Sequence, residues 1–207
     1  MIRDVKVFER RIYDKWGERY DRAVWCGWLR SWVKGYEHHV PEGSAILDIG
    51  CGTGNALAIL AGKGPAALAG LDISEGVLDV ARRKISGCKT DLRIGDAEEL
   101  PWRDNMFDVA IMTATIHHFP NPNKAVREAR RVLKPGGRLI IADPHFVFPF
   151  LQVFNVLLKI YPLNGDLGFF SQKGLRNLVE RCGFERTVQN RAGFMARYTL
   201  AFKPGAP

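Results

Sequence analysis

Residues 45–143 alternate short apolar runs with helix-like segments, and this alternation restricts the fold more than any other feature of the chain. "AILDIG" reads as a strand and "NALAILAGKG" as a helix with a glycine stop. "AALAGLDIS" is a second strand, and "EGVLDVARRKISG" a helix with Val77, Val80, Ala81 and Ile85 on one face. "TDLRIGDA" is a third strand. "FDVAIMTAT" is a fourth, so apolar that it must be buried on both faces. "PNKAVREARRVLKPGG" is a helix ending before Pro135 and Gly136, and "RLIIADP" a fifth strand. Such alternation means an α/β fold, a doubly wound parallel sheet with helices on both sides. Two β-like runs, "FERTVQN" and "ARYTLAFK", close the chain near enough together to pair antiparallel, after a helix "SQKGLRNLVERCG" capped by Ser171.

The flanks follow another pattern. Residues 1–40 read as a helical cap, set apart from a sheet domain over 41–207 that carries an apolar insert at 145–170. In the cap, Trp25, Trp28, Leu29, Trp32, Val33 and Tyr36 recur with helical periodicity on one face. That face either packs on the sheet domain or forms an aromatic lid or membrane-facing surface. The insert contains "FVFPFLQVFNVLLKIYPL", interrupted by Gln152, Asn155 and Lys159, and no apolar run reaches the ~18 residues of a membrane span. The N-terminus is too charged for a secretory signal.

A chain of 207 residues, 46% hydrophobic and 25% charged, suits one globular domain with an added cap. Its net charge of +8 favours anionic partners: nucleic acid, an anionic membrane surface or an acidic substrate. Cys26, Cys51, Cys88 and Cys182 form no CxxC pair, so neither a disulfide framework nor a metal site is expected, and a cytoplasmic setting is.

The stretch "ILDIGCGTGN" narrows the ligand. A glycine-rich turn between a first strand and its helix is the nucleotide-site geometry of doubly wound folds. Gly50 and Gly52 match the first two glycines of GxGxxG, but Asn55 holds the third place and the extra glycine is Gly54. Asp72 ends the second strand about twenty residues on, where a carboxylate accepts from ribose hydroxyls. Asp48 ends the first strand and Asp96 the third. Acids at three successive strand ends suit a ligand carrying positive charge and would repel a phosphate chain.

Taken as a set, "ILDIGCGTGN", "LDIS", "GDAEELPW", "FDVAIMTATIHHF" and "VLKPGGRLIIAD" resemble the successive motifs of class I S-adenosylmethionine-dependent methyltransferases, in the small-molecule and lipid branch of the quinone C-methylases. The resemblance implies a Rossmann-like, mostly parallel seven-stranded sheet, a methyl-transferring enzyme, and S-adenosylmethionine as donor with S-adenosylhomocysteine as product. By the same resemblance, Gly50, Gly52 and Gly54, with Cys51 and Asn55, admit the methionine part, and Asp48 orients the loop and the ammonium. Asp72 takes the ribose hydroxyls, Ile73 lies against the adenine, Asp96 accepts from the adenine amino group, and Ala97 supplies a backbone N–H. Thr113 and His118 face the donor, and Tyr13 and Tyr20 are candidates to close over the methyl group.

Methyl transfer from a sulfonium is an in-line displacement, so the enzyme mainly holds acceptor, methyl and sulfur in line. A base is needed only if the acceptor must lose a proton. His117 and His118 follow the fourth strand and His145 the fifth, and His117 is the best candidate for a base. The apolar insert and the Trp-rich helix suggest a small hydrophobic acceptor, a quinone precursor or a lipid, and Arg3, Lys6, Arg10 and Arg11 suit peripheral contact with an anionic membrane. RNA methylation or basic nucleic-acid binding is the alternative. Its basic residues are scattered, however, and "TATIHHF" stands where a base-methylating "NPPY"-type motif belongs.

Overall fold

The computed structural model describes residues 2–21, 24–145, 155 and 168–205. Most of the apolar insert, and the side chains of Arg3, Tyr20, Trp25 and Cys26, lie outside the described residues. Seven strands form one sheet in the order β3-β2-β1-β4-β5-β7-β6. They are β1 (Ala45–Ile49), β2 (Ala67–Asp72), β3 (Thr90–Ile94), β4 (Phe107–Thr113), β5 (Leu133–Pro144), β6 (Glu185–Gly193) and β7 (Ala196–Phe202). β1 to β5 pair in parallel, while β7 runs antiparallel to both β5 and β6, as expected from the two C-terminal runs. Strand order reverses direction between β1 and β4, the switch point where doubly wound sheets open a ligand crevice.

The α-helices with described bounds are α1 (Ile2–Tyr20), α2 (Val24–Tyr36), α3 (Asn55–Leu60), α4 (Glu75–Lys84), α5 (Pro122–Val132) and α6 (Gln172–Arg181). Local signals set their ends. Ser74 accepts from the Val77 N–H to cap α4, Asn121 caps α5 with Pro122 at its first position, and Ser171 caps α6. Several boundaries differ from the sequence reading, β3 among them, which stops at Ile94. α3 stops at Leu60, and Ala61–Lys63 tightens into a 3-10 turn, because Gly62 and Gly64 weaken the last turn. β5 begins at Leu133, which pairs with Phe107 across a register shift, so the "KPGG" stretch belongs to the strand.

The core has two layers, one on each face of the sheet. One gathers Leu47, Ile49, Met112 and Ile141 with α5 and α6, and the other gathers Ile46, Ile111 and Ile140 with α2, α3 and α4. Leu29, Trp32, Val33 and Tyr36 of α2 are buried there, each worth about 1.5–3 kcal/mol as a buried apolar side chain. Trp28 departs from the expected stripe. It sits at the flank of that face and is 40% exposed.

Candidate active site

A cleft with roughly 1010 Å³ of empty space, open mouth included, lies over the carboxyl ends of β1, β2 and β4. Its floor is the turn after β1. Gly50 has φ 74°, Gly52 φ 51° and Gly54 φ 74°, all left-handed. At Gly50 space forbids a side chain as well, since a Cβ would stand 2.1 Å from Thr115 Oγ1. Four of the turn's N–H groups are spent inside the protein. Those of Gly50 and Cys51 donate to the Leu71 carbonyl at 2.8 and 2.9 Å, that of Gly54 donates to the Cys51 carbonyl, and that of Gly52 donates to Asp72 Oδ2 at 2.8 Å. A phosphate would therefore meet a turn with four of its amides already committed and carboxylates beside it, which disfavours the usual client of such a loop.

The acids make the site anionic. Asp48 is 2% exposed, and its Oδ1 has no hydrogen-bond partner among the described residues. Burial, with the Asp72 carboxylate adding to it, pushes the Asp48 carboxyl up to about 8. Asp72 is also raised, by burial, against the pull of the N–H groups of Ser74, Gly52 and Ile73. An orphaned carboxylate oxygen beside a second acid fits a ligand that brings an ammonium and hydroxyl donors, as S-adenosylmethionine does. Asp96 lies two residues beyond β3 rather than at its end. Its Oδ2 accepts from Lys6 Nζ at 2.6 Å and its Oδ1 from the Glu98 N–H.

Of the residues expected at the donor, Tyr13, Asp48, Gly50, Cys51, Gly52, Asn55, Asp72, Ile73, Asp96, Ala97, Thr113 and His118 all line this cleft. Gly54 stands outside its wall, where it starts α3 against Ala81. Tyr20's side chain lies outside the described residues. Thr113 exchanges a 2.7 Å hydrogen bond with Tyr36 Oη, and His118 Nε2 lies 3.1 Å from Tyr13 Oη.

α1 roofs the cleft through polar contacts that the sequence reading missed. Lys6 bridges Asp96 and Glu98, and Asp14 accepts from Ser74 Oγ and the Gly76 N–H at the start of α4. Just past α1, Asp21 accepts from Thr53 Oγ1 at 2.7 Å and Asn55 Nδ2 at 3.1 Å, and pairs with Lys84 Nζ at 2.8 Å. The Lys84 ammonium and these hydrogen bonds outweigh burial and hold the Asp21 carboxyl below its usual range. Asn55 spends its amide on this network, with Lys84 donating to its Oδ1.

Beyond the cleft wall, at the ends of β4 and β5, His117 Nδ1 and Asp143 Oδ1 lie 2.8 Å apart, with both side chains buried. The rings of Phe169 and His118 lie 4.6 and 4.1 Å from that of His117. Asp143 Oδ2 has no hydrogen-bond partner among the described residues. His145, the other histidine of this edge, is lowered by burial and by the nearby Arg197 guanidinium. The described residues contain no group of three or more side chains suited to a metal ion.

A methyltransferase-domain family matches residues 47–141. A demethylmenaquinone methyltransferase of Desulfitobacterium hafniense is 32% identical over 208 residues, covering 86% of this chain and 80% of that one. Another from Symbiobacterium thermophilum is 34% identical, and the match spans 66% of this chain and 59% of that relative. In fold the chain resembles a solved S-adenosylmethionine-dependent methyltransferase of Thermotoga maritima, with a TM-score of 0.75, 24% identity and coverage of 93% and 99%. The acid-lined cleft and these relatives agree, and the chain belongs to the class I S-adenosylmethionine-dependent methyltransferases.

Proposed function

We propose that the protein methylates a lipophilic quinone precursor of the demethylmenaquinone kind, with His117 as general base and residues 1–40 as the cap over the donor. The observation carrying this reading is the buried His117–Asp143 pair at the ends of β4 and β5, beside the Phe169 ring. A hydroxylated aromatic ring becomes a carbon nucleophile when its hydroxyl loses a proton. A buried imidazole beside an apolar wall suits that task. Asp143 accepts the Nδ1 proton of His117, which fixes the tautomer whose Nε2 is basic and stabilises the imidazolium formed on proton transfer. The two curated relatives bear the name of that reaction, the first support for a quinone precursor over a lipid headgroup.

On the donor side, S-adenosylmethionine supplies when bound a methyl group on a positively charged sulfur, so the chain need only position it. Asp48 would face the ammonium, Asp72 the ribose hydroxyls and Asp96 the adenine amino group, each a charge-assisted contact. Tyr13, held by His118, would cover the methyl end. Nucleic acid is disfavoured because, among the described residues, the one Lys or Arg lining the cleft is Lys6, already bridging two carboxylates. The test is donor turnover with a reduced demethylated naphthoquinone, against phospholipid, small amines and RNA. Turnover on the naphthoquinol, lost in His117→Gln, is the expected result. Turnover on RNA, or undiminished naphthoquinol turnover in His117→Gln, would remove the reading.

A further inference from the structure

Large apolar side chains stand exposed at few places among the described residues, and most of them share one edge of the molecule. Val7 and Phe8 on α1 are 50% and 48% exposed, and beside them Lys6 reaches Asp96 just past β3. Ile94 ends β3 and is 44% exposed. Across the mouth, Trp28 meets the Phe194 ring edge-on at 5.4 Å. Phe194 and Met195 form the turn between β6 and β7, which the His145 N–H to Met195 carbonyl bond fixes at the carboxyl end of β5. Met106 and Val188 are the exceptions, one just before β4 at the opposite edge and one midway along the outer strand β6.

The turn is unusual in its own right. Met195 has φ 52°, left-handed, where glycine or asparagine would sit with less strain and more affinity for water. Phe194, its neighbour, is 59% exposed. Local turn chemistry does not account for these two side chains, and neither does the core. The two cap helices carry unpaired positive charge of their own. Arg11, Lys15 and Arg19 on α1 and Arg30 on α2 are exposed, with no ion pair among the described residues, on a chain of net charge +8.

We propose that this rim is the surface by which the protein docks on an anionic lipid bilayer, with Phe194, Met195 and Trp28 entering the headgroup region and the α1 and α2 cations meeting the headgroups. The cleft mouth then faces the lipid, so a hydrophobic acceptor passes from bilayer to site without crossing water. Apolar insertion supplies part of the binding and attraction to anionic lipid the rest, the two-part recognition of interfacial proteins. The inference rests on the lipophilic acceptor read above.

Vesicle flotation of the full chain tests it, with vesicles of phosphatidylcholine alone and of phosphatidylcholine doped with phosphatidylglycerol. The doped vesicles should bind at least tenfold more protein at low salt. Phe194→Ser with Met195→Asn, the latter suited to the left-handed turn, should cut that binding about tenfold. Arg11→Glu with Lys15→Glu should remove the preference for anionic lipid. Met106→Ser and Val188→Ser serve as controls and should leave binding unchanged, and S-adenosylhomocysteine titration should be the same in every variant. Equal loss in the controls, or no binding to either vesicle, would overturn the proposal. So would a rim that pairs two copies of the chain, seen as a dimer that the turn variant dissociates. Turnover on a chain-truncated, water-soluble naphthoquinol without vesicles separates the two readings. If it proceeds while vesicle binding is absent, the docking surface alone fails. If it is absent while vesicles bind, the acceptor reading fails and the surface stands.

Discussion

The two halves of the carboxyl edge are built in opposite ways. Over β1, β2 and β3 the site consists of backbone and carboxylates: a left-handed glycine turn, its amides spent on Leu71 and Asp72, and the acids Asp48, Asp72 and Asp96. Over β4 and β5 it consists of side chains packed ring against ring, with His117 on Phe169 and His118 and a single carboxylate, Asp143, behind them. If the first half takes the donor and the second the acceptor, as proposed, the donor half is fixed by geometry that tolerates almost no change. The acceptor half is fixed by one hydrogen bond and by apolar contact, which can be revised more cheaply. A family sharing one donor among many acceptors would be expected to divide its site this way.

The sharpest way to break the comparison is at Gly50. A Cβ there meets Thr115 Oγ1 at 2.1 Å and Thr115 Cβ at 2.9 Å, at a φ that alanine resists. Overpacking and the left-handed penalty together should cost about 2–4 kcal/mol. Gly50→Ala should therefore lose roughly thirtyfold to a thousandfold in turnover together with donor binding, seen by calorimetry with S-adenosylhomocysteine and by a lowered midpoint of thermal unfolding. If Gly50→Ala binds the donor normally, the donor half is not the rigid one.

His117 tests the other half. His117→Gln should lower kcat about a hundredfold, the lower end of what a general base contributes, while donor affinity stays unchanged. Asp143→Asn keeps the shape but reverses the hydrogen-bond polarity at Nδ1, so a loss of about tenfold and an altered pH–rate profile are expected in kcat against pH. A mutant that weakened donor binding instead would merge the two halves into one.

The division also governs what the sequence could reveal. The first half is legible as a cluster because parallel strands buried on both faces read as unbroken apolar runs, and because the glycine turn and two of its acids lie at predictable strand ends. Asp96 was found in its motif but placed slightly wrongly, since β3 ends at Ile94. The His117–Asp143 pair was half legible. The histidine stood out, but its partner depends on the register that sets Thr113 of β4 beside Ala142 of β5. Trp28 misleads, because periodicity marks a face but not its edge, and among the described residues of that stripe Leu29, Trp32, Val33 and Tyr36 are the buried ones. Asp21 carried no signal at all. Its meaning comes only from α1 folding back across the glycine turn.

pH offers a finer probe of the donor half. The Asp48 carboxyl, raised from an ordinary 3.8 to about 8, keeps a proton in the fold that the unfolded chain releases. Stability from this group therefore falls as pH rises between those two values and levels off above the higher one. A bound ammonium favours the carboxylate, so donor binding below about pH 8 should expel that proton. S-adenosylhomocysteine affinity should then tighten about tenfold from pH 6 to pH 8, a one-unit shift in the Asp48 carboxyl being worth that factor. Calorimetry in buffers of different ionisation enthalpy should register the released proton. Asp48→Asn should abolish both the slope and the proton release, and a slope that survives would place the titrating group elsewhere.

The smallest effect expected concerns the join between cap and turn. Asp21 holds Thr53 and Asn55 from above and is itself held by Lys84, so the turn's shape depends partly on a residue that does not itself line the cleft. Asp21→Asn keeps an oxygen for Thr53 and Asn55 but gives up the pairing with Lys84, whose partly exposed position makes that pair worth only about 1 kcal/mol. Donor affinity should weaken about threefold with acceptor KM unchanged. Because the carboxyl already lies below its usual range, this loss should not vary with pH above 5. Lys84→Met should reproduce it, and the double variant should be no worse than either alone, since both remove one shared interaction. Additive losses would mean that Asp21 and Lys84 act separately. The turn would then be rigid by its own glycines, and the cap would lie over the donor half without shaping it.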